Sequence, residues 1–170
     1  MKAMAGFVIA TLVACRTPPA RQEAPTPPSS AVAPASRPSP AEELDRLDRR
    51  KPVPLLPMMA NHQKQSMREH LIVVQEVVSA TATRDFAKVV HAAQRMGYSE
   101  AMGQMCEHMG AGAPGFSEQA LAFHHSADRI VDAARHEDSA GVLGALSETL
   151  ATCTSCHESY KQAVVAKLAD

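Results

Sequence analysis

Cys153, Cys156 and His157 stand as C-x-x-C-H within the run CTSCHESYK, close to the end of a 170-residue chain. Two thiols one helical turn apart can each add to a vinyl group on one edge of a porphyrin. An imidazole directly after the second thiol reaches the iron as proximal ligand, and this spacing is the attachment signature of c-type haem. Other chemistries also use paired cysteines. A redox C-x-x-C opens a helix after a strand, whereas this one lies deep in a helical pattern. Zinc asks for further ligands, for which only Cys106 and His108 are available. A structural disulfide is the remaining alternative.

The elements that must hold these residues read as helices. From Met58 onward the apolar period is helical. A first segment, about 58 to 82, carries Met67, Leu71, Val74 and Val78 as its stripe. A second, about 84 to 97, carries Phe86, Val89, Val90, Ala93 and Met96 and stops at Gly97. Ser117 is placed to cap a third, about 118 to 136, with Phe123, Ala127, Ile130 and Ala134 on one face. Asp138 is placed to cap a fourth, whose stripe reads Leu143, Leu146, Leu150, Cys153, His157, Tyr160 and Val164. Steps of three and four suit helices packed nearly antiparallel. The expected fold is therefore all-α, an up-down-up-down four-helix bundle with the motif facing its interior. No alternation convincing enough for a strand is present. Residues 98 to 116, broken by glycines and Pro114, are expected to be irregular.

The amino-terminal third is different in kind. All of the 12 prolines except Pro114 precede Met58. Met1-Lys2 and the apolar run Ala3 to Ala14 make a signal-peptide core too short for a membrane span. Cys15 follows Leu12-Val13-Ala14, and LVAC resembles the lipobox of bacterial lipoproteins, so Cys15 is the expected lipidation site. The expected organisation is signal peptide 1–14, a lipidated Cys15 with a Pro/Ala-rich linker to residue 56, and a helical domain 57–170. AEELDRLDRRK can form a short charged helix inside the linker, PVPLLP ends it, and Pro57 suits a first helical turn. The formal net charge is −1, which gives no bulk attraction to nucleic acid.

An exported four-helix domain with C-x-x-C-H near its end, followed by an aromatic and a basic residue (Tyr160-Lys161), resembles the class II c-type cytochromes, cytochrome c′ and its low-spin relatives. The resemblance covers about residues 57 to 168. It implies one covalent haem c between the helices, with Cys153 and Cys156 as thioether links and His157 as the proximal iron ligand. So little chain follows His157 that the rest of the pocket must come from upstream helices.

Family members either leave the sixth iron position open or fill it with a methionine from the first helix. Met67 is the expected distal ligand here, with His70 and then His62 as next choices, while His124, near Phe123, is placed to contact a propionate or an edge. Met102, Met105, Cys106, His108 and Met109 form a soft-ligand cluster. It reads either as an amphipathic cap over the haem edge or as a Cu(I) site. Cys106 has no obvious disulfide partner.

No nucleophile–base pair or two-carboxylate arrangement points to an enzyme. The expected role is electron transfer in the bacterial envelope by a membrane-anchored periplasmic lipoprotein. Arg16, not acidic, favours the outer membrane. Redox proteins of the envelope are the expected partners, and a homodimer stays open. A five-coordinate module binding nitric oxide or carbon monoxide, and an envelope copper-handling protein using residues 102–109, are the alternatives.

Overall fold

Pro57 opens the longest helix because its fixed φ suits a first turn that has no use for its missing N–H. The structure, a computed structural model, describes residues 37–168, so the signal peptide, Cys15 and most of the linker lie outside the described residues. Within them the order is α1 (Pro40–Leu47), β1 (Lys51–Leu55), α2 (Pro57–Ala82), α3 (Phe86–Gln94), α4 (Glu100–Gly110), α5 (Phe116–Arg135), α6 (Ser139–Ser159) and β2 (Tyr160–Val164). Ser39 caps α1 in a reciprocal box with Glu42. Asp85 caps α3 by accepting from the Lys88 N–H. Asp138 stands at the N-cap of α6 but makes no side-chain cap bond.

The expected four-helix bundle is present. α2 packs on α3, α3 on α5, α5 on α6, and α6 returns to α2. The apolar interior is divided into two clusters. One joins Val73 and Val77 of α2 to Val89, Phe123, Ile130 and Leu146. The other lies at the strand end and joins Val53, Leu55, Met109, Phe116 and Tyr160.

The observed seams are rotated from the expected stripes on two helices. On α2, Val73 and Val77 are buried while Leu71 is 68% and Val78 47% exposed. On α6, Val142, Ala145, Leu146 and Thr149 face inward, and Leu143 is 51% exposed. The α3 and α5 stripes lie as expected, fully or half buried.

The 98–116 segment is not irregular, because it contains α4. Ser99 caps this helix by accepting from the Met102 N–H. Its glycines are tolerated through close packing: a Cβ on Gly110 would meet Phe116 at 3.0 Å. Ser117 does not cap α5, which starts a residue earlier. Its hydroxyl instead donates to the Cys106 carbonyl at 3.1 Å, tying α5 to α4. Gly115 before α5 has φ of 85°, and a Cβ there would lie 2.7 Å from the Tyr160 hydroxyl.

Two strands also depart from expectation. β1 and β2 pair in parallel, with Lys51 opposite Tyr160 and Leu55 opposite Val164. The Val165 N–H donates to the Leu55 carbonyl at 2.9 Å, so residues 51, 53 and 55 face the partner strand. Pro52 and Pro54 then fall on the open edge, where a missing N–H costs no ladder bond. The α1–β1 segment is thus a strap laid against the end of α6 rather than free linker.

Candidate functional site

α6 presents Cys153 and Cys156 on one wall of an apolar cavity that also opens to solvent. The cavity occupies the gap between the two core clusters. Cys153 packs against the first and Cys156 against the second. Both are half-buried free thiols. Burial pushes both upward from the ordinary thiol value, and the neighbouring Cys156 pushes Cys153 further, so both are protonated at neutral pH. His157 lines the cavity from an exposed position.

Three other helices complete the walls. α2 contributes His62, Gln63, Ser66, Met67 and His70; α4 contributes Met102, Met105, Cys106 and Met109; α5 contributes Phe116, Phe123 and His124. The walls are apolar apart from a few histidines and amides. Two free thiols one turn apart beside an imidazole, facing a wall of methionine and phenylalanine, are a donor set that suits a haem. Cys153 and Cys156 can form thioethers, and His157 can ligate iron.

Met67, expected opposite His157, does line the cavity. It is 39% exposed and sits at the mouth, where it and His157 also line the adjoining groove. His70 is deeper. Its ring lies 4.7 Å from Phe123 and 5.6 Å, edge-on, from His124. Burial first, and the neighbouring His124 second, lower its pKa from 6.5 to about 4. His62 lines the cavity from an exposed position.

His124 is buried, and its Nδ1–H donates to the Met96 carbonyl at 2.8 Å. That bond fixes the tautomer and leaves Nε2 as the acceptor nitrogen, the form that can accept a bond or ligate metal. Burial lowers its pKa against an opposing effect of the Met96 bond. The sequence places His124 beside Phe123, and the packing buries it while His125 is exposed.

The 102–109 donors do not converge as one metal site. Met102, Met105, Cys106 and Met109 face the cavity, while His108 is exposed and lies outside its lining. Burial, with a smaller effect of Glu107, raises the Cys106 pKa. No group of three or more His, Cys, Asp or Glu able to hold a metal ion occurs among the described residues.

Sequence reasoning missed the strap, which grips the end of α6 beside this site. Arg50 donates to the His157 carbonyl at 3.1 Å and forms two bonds to Asp48, at 2.9 and 2.7 Å. The hydrogen bond from Arg50 holds the Asp48 carboxyl near 2, well below its usual range. Lys161, 13% exposed, donates to the Asp45 carboxylate at 2.7 Å and to the Asp45 and Asp48 carbonyls. The Tyr160 hydroxyl donates to the Pro114 carbonyl at 2.9 Å. The Tyr160 and Lys161 bonds fix the last two residues of CTSCHESYK.

No curated protein and no solved structure matches the chain. Residues 111–161 match the model of the family described as Cytochrome C', a span that holds α5, α6 and the whole C-x-x-C-H motif. The match implies haem binding, and with it electron transfer or gas binding. Bundle, cavity and family match together support a class II c-type cytochrome.

Proposed function

We propose that the protein is a monohaem electron carrier of the bacterial envelope, with haem c attached through Cys153 and Cys156. The observation that carries this reading is one apolar cavity bearing two free thiols and His157 on one wall, with Met67 on another. When bound, the haem supplies reversible one-electron exchange at its iron. The chain's own residues do the rest. His157 and Met67 are the proposed proximal and distal iron ligands, a pairing that raises the potential relative to two imidazoles. Phe116, Phe123 and the α4 methionines exclude water. The strap holds the turn that carries His157. Lipid on Cys15 is the proposed membrane anchor, with the outer membrane favoured by Arg16.

Met67→Ala tests the electron-carrier reading. The expected result is a change from low-spin to high-spin haem, a lower potential and fast carbon monoxide binding. A gas-binding module is the second reading, favoured by the partial exposure of Met67 at the cavity mouth. It wins if the native ferrous protein is already five-coordinate and binds carbon monoxide quickly. An unchanged low-spin spectrum in Met67→Ala moves the distal role to His70 and then His62. Copper handling by residues 102–109 draws little support, since His108 turns away from the sulfur-lined wall.

A further inference from the structure

The cavity opens into a polar groove where three elements meet. The strap supplies Asp45, Asp48 and Arg50; α2 supplies Lys64 and Arg68; the end of α6 and β2 supply His157 and Lys161. The carboxylates in this groove are already engaged. Asp48 is bound by Arg50 at 2.7 Å, and Asp45 by Lys161 at 2.7 Å. Lys64 and Arg68 stand one turn apart on α2, both exposed, and neither makes an ion pair among the described residues. Glu69, beside Arg68 in sequence, pairs with Arg95 at 3.0 Å instead. The groove therefore carries two uncompensated cations on a chain whose formal net charge is −1.

Those cations border the place where the haem site meets solvent. Met67, Cys156 and His157 line both the cavity and the groove. A partner seated in the groove would approach the attachment edge with no helix in between. We propose that this rim is the electron-exchange port and docks the carboxylate-bearing face of a protein redox partner. The inference rests on the electron-carrier reading. Exposed charges act over roughly 8–10 Å at physiological salt, so local charge at the port, not the net charge, governs encounter. Such steering changes association rates by about tenfold to a thousandfold.

The test uses the reduced haem protein and two small oxidants, anionic hexacyanoferrate(III) and a cationic tris-phenanthroline cobalt(III) complex. In each reaction one electron leaves the protein and reduces the complex, to hexacyanoferrate(II) or cobalt(II), with no proton transferred. Rates are followed by stopped flow as ionic strength rises. The anion should react fast at low salt and slow down as salt is added, with the opposite trend for the cation. Lys64→Glu with Arg68→Glu should lower the low-salt anion rate by about tenfold or more and reverse its salt dependence. The paired glutamine variants should abolish it. Arg84→Glu with Arg135→Glu makes the same net-charge change at the opposite end of the bundle and should leave the salt dependence near wild type.

An anion rate that rises with salt overturns the proposal, as does a rim variant indistinguishable from the remote control. A salt-independent wild-type rate overturns it too, by showing that the rim cations are already neutralised by carboxylates of the bound group. Failure to transfer an electron to either complex overturns the electron-carrier reading itself.

Discussion

His70 should make stability fall with acid over a defined window. Burial and the adjacent His124 bring its pKa from 6.5 to about 4 in the folded chain. Between those values the unfolded chain binds a proton that the folded chain refuses. Stability rises with pH wherever the unfolded state holds more protons. The contribution is therefore intact above pH 6.5 and is lost progressively as the pH falls to about 4. Each tenfold change in proton affinity is worth about 1.4 kcal/mol, so the full loss comes to about 3 kcal/mol. His124 is shifted in the same direction and adds to the slope. The assay is denaturant unfolding of the haem protein at a series of pH values, for wild type and His70→Gln. The wild-type curve should fall more steeply with acid, the two diverging by about 3 kcal/mol across the window. Parallel curves would show the opposite, that His70 titrates alike in both states.

The strap should be held by Lys161. Lys161→Met removes three donor contacts to Asp45 and Asp48 and should cost about 2 kcal/mol, with faster hydrogen exchange confined to residues 40–55. Gly115→Ala should cost about 2 kcal/mol, since φ there is 85° and the added Cβ crowds the Tyr160 hydroxyl. Differential scanning calorimetry measures that loss, and a melting temperature equal to wild type would contradict it.

Local chemistry was legible in the sequence, and tertiary choices were not. The C-x-x-C-H site needed no fold to be read, because its residues lie within one turn of one helix. Pro57 marks the start of α2 through a local preference. The phase of α2 was lost in the run Leu71-Ile72-Val73-Val74, which is apolar in every direction around the helix. Only packing on α3 selects Val73 and leaves Leu71 outside. α4 was hidden by Gly103 and Gly110, whose poor helix propensity is overridden by close contact with Tyr98 and Phe116. β1 was masked by two prolines, and β2 continued the helical period through Tyr160 and Val164. Their pairing joins distant parts of the chain, so neither strand shows in its own pattern. His70, one turn from Met67, and His124, beside Phe123, were candidates from the sequence, but only burial sets them apart from exposed His62 and His125.

Covalent haem at Cys153 and Cys156 is the claim on which the rest depends. Extraction of the purified mature protein with acidified solvent, followed by mass analysis of the peptide spanning CTSCH, tests it most directly. Colour should stay with the polypeptide, this peptide should carry one haem, and Cys153→Ser with Cys156→Ser should abolish both. A colourless extracted chain with two unmodified thiols in that peptide would contradict it.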